Sequence, residues 1–420
     1  MSVTFWLALV IVAATVWALI KRYETRLVLC ISGLVMCALA LDPMAAFNQF
    51  AKSMTTGGLI QSICSAMGFA YLVSYTKADI HLVQLLTRPM KSLGLLVIPC
   101  CTLITAVINA AIPSAADCAA AVGATLIPLM IRSGITPAGA AAAILAGTYG
   151  SCYNPGGAHP VMISGMAGIE PMEFIIQNSV TYAGIILTGA VMITLVEWYL
   201  KDHKGSGAMD GIETDATGGI ERVNILFAAA PLVPLTLLLL GNTCVPAIRM
   251  GVAQAMLIGA VYTMVVTRCN AEQAFRNFFD GAGKGYANIL GIIIAAGVFA
   301  CGLRETGVVG ALIEALKNAG EYARVDGAMG TFAMAVLSGS GDAATFAFSE
   351  AVTPHAAQFG MSISDLGNTV LCAAQLGRTT SPIAGVVILL AGMARVSSID
   401  LVKRTCIPMV TAWLVLILFL

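Results

Sequence analysis

The hexapeptide Gly377-Arg378-Thr379-Thr380-Ser381-Pro382 lies between two apolar runs, 370–376 and 383–391, that together with it are long enough to cross a bilayer. Gly, Pro and three hydroxyls interrupt a helix there. Non-helical backbone at membrane depth survives only where protein buries it or a wet cavity receives it. The pattern occurs once before, at Gly150-Ser151-Cys152-Tyr153-Asn154-Pro155, and each hexapeptide is followed by Gly-Met-Ala, at Gly165-Met166-Ala167 and Gly392-Met393-Ala394. Both pairs share an offset of 227 (377 − 150 and 392 − 165). Two interrupted apolar segments in register point to a secondary transporter made of two repeats, with its site at the breaks.

Composition agrees. Of 420 residues, 58% are hydrophobic and 10% charged, against about 25% charged in soluble domains. The apolar runs have helical-span length and lack the alternation of barrel strands, so the chain is an all-α polytopic membrane protein. A net charge of +0 gives no reason to expect a nucleic-acid partner. The twelve Cys are scattered without a CxxC or a His at ligand spacing, and read as packing residues with no metal or disulfide. The first apolar run precedes Lys21-Arg22, the wrong polarity for a cleaved signal, and reads as the first span.

Run lengths and breakers divide the chain into a first repeat at 1–200, a linker at 201–222 and a second repeat at 223–420. The first repeat has scaffold spans within 4–75, an amphipathic arm at 77–91, a re-entrant hairpin at 93–131, the broken span at 136–168 and a span at 172–200. The second has scaffold spans within 223–303, an arm at 304–324, a hairpin at 325–359, the broken span at 363–394 and a span at 400–420. Ala46-Phe47-Asn48-Gln49-Phe50 matches Ala274-Phe275-Arg276-Asn277-Phe278, and Asp117 matches Asp342. Five crossings per half, an odd number, make the repeats inverted. Sixteen Lys and Arg then fall on the side of loop 21–26 and five on the other, with Arg378 in the membrane. That sorting places the linker in the cytoplasm and both termini in the periplasm.

Two tips meeting two breaks would enclose a midplane cavity where half-helix N-termini favour anions and freed carbonyls suit a small cation. The expected substrate contacts are Asn109, Ser114, Ser151, Asn154 and Gly156 in the first half, and Ser338, Ser340, Arg378, Thr379, Thr380 and Ser381 in the second. Asp117 and Asp342, with Thr148 and Thr345, are the candidates for holding a coupling proton or Na+; the aspartates serve equally well as helix N-caps. Away from a break, a lone Ser or Thr more often bonds the carbonyl one turn back. His159 has the same ambiguity, since a lone His is more often structural. No catalytic residues are expected: the chain has no Ser-His-Asp or Cys-His spacing, and Gly281-Ala282-Gly283-Lys284-Gly285 lacks the Ser/Thr and strand context of a phosphate loop. A channel or membrane enzyme explains the paired breaks less well than alternating access.

The order of arm, hairpin, broken span and closing span in each half, with Asn154-Pro155 and Ser381-Pro382 at the breaks, resembles the ion transporter superfamily of elevator carriers. The segment 377–382 and the tip Ser338-Gly339-Ser340-Gly341-Asp342 are similar to those of the anaerobic C4-dicarboxylate carrier C (Dcu-C) family along the full length. This resemblance implies transport of succinate, fumarate, malate or aspartate across a bacterial inner membrane by cation-coupled symport or exchange, in a homodimer embedded in lipid and without a cofactor beyond a coupling Na+ or H+. A same-fold carrier of a tricarboxylate or an amino acid is the alternative. The superfamily's Ser-Asn-Thr motif is absent, although Asn109 and Ser338 stand near the tips.

Overall fold

The computed structural model describes residues 3–87, 94–205, 223–319 and 323–419. The expected linker lies outside them, except for 201–205, as does the end of the first arm. Every regular element among the described residues is a helix. The chain forms two repeats of inverted topology, each with five crossings and a re-entrant hairpin. Among the described residues, eight stretches are long and apolar enough to cross a bilayer, including both helices of the first hairpin, so length alone does not separate hairpins from spans. Large apolar side chains such as Trp6, Val180, Leu187, Val191, Val261 and Val265 lie exposed on the outer surface. In water such a surface would aggregate; against lipid tails it costs nothing.

The scaffold helices of the two halves interdigitate through glycines. Thr25–Leu39 packs on Gly291–Glu305, where a Cβ on Gly302 would come within 2.7 Å of the Gly33 carbonyl oxygen. Gly57–Tyr75 packs on Ala271–Lys284, where a Cβ on Gly68 would lie 2.7 Å from the Phe278 oxygen and one on Gly281 2.7 Å from the Met67 oxygen. With no difference in hydrophobicity between lipid and helix, this close backbone approach supplies the adhesion through dispersion.

Helices Pro43–Met54 and Ala271–Lys284 were not expected as elements, although they carry the matched Ala-Phe-x-x-Phe segments. They also differ. Pro43–Met54 stops at Thr55 before Gly57–Tyr75 begins, whereas Ala271–Lys284 runs on through a π-helical turn, Gly285–Leu290, into Gly291–Glu305. A π turn inside an α-helix redirects the side chains that follow and often marks a functional position.

The first arm, Ala78–Thr87, is tied to the start of the second half by a bond from the Asn224 backbone N–H to His81 Nδ1 (3.2 Å). Burial lowers the His81 pKa, which keeps the ring neutral and able to accept that bond. The closing spans of the two halves, Pro171–Tyr199 and Ser398–Phe419, pack together. Arg404 there donates from Nε to Asp202 Oδ2 and from Nη2 to Asp202 Oδ1, both at 2.8 Å, and Thr136 donates to the same carboxylate at 2.6 Å. This half-buried fork joins the foot of both closing spans to the start of the first broken span.

Candidate functional site

The first hairpin turns between Val97–Ala111 and Ala115–Arg132, the second between Ala323–Ser338 and Gly341–Ala351. The breaks are unequal. The first broken span stops at Gly147, passes through a 3-10 turn at Gly150–Tyr153 and restarts as Ala158–Ala167. In the second, Ile363–Thr379 keeps Gly377 and Arg378 inside its last turn, and only 380–384 separates it from Gly385–Met393. The hexapeptide therefore contains a helix end followed by the break. That position suits Arg378, because the carbonyl end of a helix favours a cation.

Both tips and both breaks meet at one cavity of about 380 Å³. Its wall includes Ser114 and Asp117 from the first tip, Ser151, Gly156 and His159 from the first break, Ser340 and Asp342 from the second tip, and Gln375, Arg378 and Val386 from the second break. Each of the four helices beginning here, of 18, 10, 11 and 9 residues, gives residues of its first turn or cap to this wall. Four helix N-termini converging on one space make it attractive to an anion.

Arg378 is the cation at the centre. Its side chain is 9% exposed, and its Nη2 reaches the Thr148 carbonyl at 3.3 Å and the Thr148 hydroxyl at 3.5 Å, long for hydrogen bonds. Its Nε is buried with no partner. A guanidinium held at the wall of a cavity with donors unspent is poised for an anion.

Across from it, Asp342 Oδ1 lies 3.1 Å from His159 Nε2, and the Gln375 amide nitrogen lies 3.1 Å from the same ring nitrogen. The His159 ring stacks on Phe346, with centroids 5.0 Å apart. His159 is thus a member of the site, and Gln375 was missed altogether. Its signal was an amide inside the otherwise apolar run 370–376.

The two aspartates do not hold equivalent places. Ser114 caps the first hairpin's second helix by accepting from Asp117 N, while Ser340 caps its counterpart by accepting from Ala343 N. The caps are 226 apart (340 − 114), the aspartates 225 (342 − 117). Asp342 is therefore one position nearer its cap, which turns it about 100° around the helix relative to Asp117. Asp342 faces His159, whereas Asp117 is exposed on the open side. Serine supplies the cap in both, so neither aspartate does.

Several expected ligands do not line the cavity. Asn109 receives the Ser151 N–H on Oδ1 (2.7 Å) and donates to the Ile112 carbonyl (3.0 Å); Asn154 donates to the Ala110 carbonyl (2.7 Å) and accepts from Gly156 N (2.9 Å). These amides lace the first tip to the first break. The hydroxyls of Thr148, Thr345, Thr379, Thr380 and Ser338 bond carbonyls three or four residues back in their own helices, the local alternative open to Ser and Thr anywhere in a helix. Ser381 is fully buried with its hydroxyl unpartnered.

On the side of the scaffold, Met67 and Tyr71 from Gly57–Tyr75 and Lys284, Asn288 and Ile289 from the π-helical region complete the wall. A second cavity of about 430 Å³, between Tyr71, Ser74, Asp79 and Ile80 and the hairpin residues Asp117, Ala120 and Ala124, shares Tyr71 and Asp117 with the first. The second cavity thus adjoins the site on the side that carries Asp79 and Ile80.

Comparison with known proteins places this architecture. The family model described as DcuC, C4-dicarboxylate anaerobic carrier, matches residues 38–420. An uncharacterised transporter of Haemophilus influenzae is 44% identical over 279 residues, covering 64% of this chain and 99% of its own length. The anaerobic C4-dicarboxylate transporter DcuC of Escherichia coli strain K12 is 27% identical over 375 residues, covering 86% of this chain and 79% of its own. Among solved structures, the YdaH transporter of Alcanivorax borkumensis, described as having an unusual topology, superposes with a TM-score of 0.61 at 16% identity, over 89% of this chain and 86% of that one.

Proposed function

The chain belongs to the DcuC family of C4-dicarboxylate anaerobic carriers, and on that premise we propose that it is an elevator-type secondary transporter that binds a C4-dicarboxylate between the two hairpin tips and the two breaks. It is a carrier and not an enzyme. The observation that carries the assignment to this cavity is Arg378, buried at its wall with Nε unpartnered among four helix N-termini. The guanidinium fork matches a carboxylate, and the N-termini supply further donors. Saturable counterflow of labelled succinate in proteoliposomes tests the reading. Transport that is linear in concentration and shows no counterflow contradicts a carrier.

The coupling ion in this reading is a proton held by the His159–Asp342 pair. A dianion entering a low-dielectric site needs compensating positive charge, and the pair stands 3.1 Å apart in the same cavity as Arg378. Asp117 and Lys284 also face that cavity, and Gln375 and Phe346 hold the ring. Asp342→Asn and His159→Gln are expected to flatten the pH dependence of net succinate uptake, while succinate counterflow, which needs no net proton movement, continues. Unchanged pH profiles in both variants move the coupling elsewhere, with Na+ as the other passenger.

The protein sits, in this reading, in a bacterial inner membrane as a homodimer, with linker 201–222 cytoplasmic and both termini periplasmic, as the sixteen-to-five charge sorting indicates. With that orientation the second cavity lies on the cytoplasmic side of the site. Cys244 is natively exposed at the expected periplasmic end of Val233–Thr243. In spheroplasts, membrane-impermeant maleimide is expected to label Cys244, and not Lys204→Cys placed in a Cys244→Ser background. The reverse pattern inverts the topology.

A further inference from the structure

Arg378 accounts for one carboxylate, and a dicarboxylate has two. Among the described residues of the cavity wall, only one other permanent cation is present, Lys284. It makes no ion pair with any described residue, and its Nζ lies over the Tyr71 ring, 4.7 Å from the centroid. A cation–π contact of this kind holds an ammonium in place while leaving its N–H donors for an anion.

The placement follows from the helix. Gly281 and Gly285 bring the chain onto Gly57–Tyr75 so closely that a Cβ at Gly285 would lie 3.0 Å from Met67 Cβ. The segment Gly281-Ala282-Gly283-Lys284-Gly285, which reads as a failed phosphate loop, is a Gly-x-x-x-Gly helix contact with a lysine beside it. The π turn starts immediately afterwards and carries Asn288 and Ile289 to the same wall. In the first half, the matching position (284 − 228) is Thr56, just after Pro43–Met54 ends, and it is absent from the cavity. Arg378 likewise corresponds to the uncharged Ser151 (378 − 227). Both cations therefore belong to the second repeat, one on the hairpin-and-break side of the cavity and one on the scaffold side.

We infer that Lys284 is the anchor for the second carboxylate, and that it makes the site select an α,ω-dicarboxylate over a monocarboxylate of equal length. The inference rests on the proposed dicarboxylate reading of this cavity. It requires the far carboxylate to reach across from Arg378, so that chain length matters.

Binding should be measured by counterflow and by thermal stabilisation for malonate, succinate, glutarate and butyrate, in the wild type and in Lys284→Gln, Lys284→Arg and Arg378→Gln. Lys284→Gln is expected to lose about tenfold in succinate affinity, the scale of one contact to a charged group, with weak butyrate binding unchanged. The preference for succinate over malonate and glutarate should flatten with it. Lys284→Arg, which keeps the charge, should retain most of the selectivity and also serves as the folded control. If Lys284→Gln keeps the wild-type succinate-to-butyrate ratio while Arg378→Gln loses succinate, Lys284 is not an anchor and the dicarboxylate reading stands. If the wild type shows no saturable preference for succinate over butyrate, both readings fall together.

Discussion

Arg378→Gln is expected to abolish high-affinity succinate binding while leaving a folded protein. Removing one partner of a buried charge-assisted pair costs about 2 to 5 kcal/mol, which converts to a factor of about 30 to several thousand in affinity. Arg378→Lys should fall in between, because an ammonium keeps the charge and loses the fork. The competing role is structural: Arg378 reaches the Thr148 carbonyl and so joins the two breaks. That bond is long, and Nε has no partner, so little of the guanidinium's hydrogen-bonding capacity is spent on holding the protein together. The two roles separate in one experiment. Thermal unfolding of the ligand-free variants reads the structural role, and the shift produced by succinate reads binding. Near-native succinate affinity in both variants would remove Arg378 from the site.

The second large effect is expected at a pair of glycines. A Cβ on Gly150 would collide with the backbone carbonyl of Ala106, and one on Gly377 with that of Phe332. These are equivalent contacts, since the glycines are 227 apart and their partners 226 (332 − 106). In each half the break presses its backbone against the first helix of its own hairpin. Ala106 and Phe332 lie inside Val97–Ala111 and Ala323–Ser338, so the obstacle is helical backbone, which cannot rotate away. Gly150→Ala and Gly377→Ala should each destabilise by at least the upper end of the roughly 1 to 3 kcal/mol typical of overpacking, and displace the tip from the cavity with loss of succinate counterflow. Gly165 and Gly392 are the matched controls. They are also 227 apart, both are helical, and a Cβ on either meets nothing within 4 Å. Alanine there should be neutral, or stabilising by about 0.5 to 1 kcal/mol through the lower entropy of the unfolded chain. Wild-type melting temperatures in Gly150→Ala and Gly377→Ala would show that the breaks are not held by these contacts.

Why some residues could be placed in advance and others not is visible in single cases. The turn of the first hairpin was readable because Asn109, Pro113 and Ser114 interrupt the apolar run 93–131 and helix breakers act locally, although each of its two helices is long enough to cross. The extent of the second break was not, because Arg378 and Thr379 continue the helix past Gly377, which is kept helical by its seat against Phe332. Helices Pro43–Met54 and Ala271–Lys284 were marked by matched aromatics, yet their polar composition hid them from a search for apolar runs.

The sequence by itself determined that the protein spans a membrane, that it is two repeats of inverted topology, and which four short segments, two tips and two breaks, converge. Those conclusions need only run length, breaker position and repeat offset, all of which are local or statistical properties of the chain. The tertiary structure decided which polar groups in those segments face the cavity. A one-residue shift of cap register separates Asp117 from Asp342, back-bonding within the helix takes most of the threonine hydroxyls, and Asn109 and Asn154 turn inward to hold tip to break. Lys284 comes to the cavity only because a glycine contact and a π turn set the course of a helix remote in sequence from every break. Side-chain direction depends on helix phase and on what packs behind it, and a pattern of residue types contains neither.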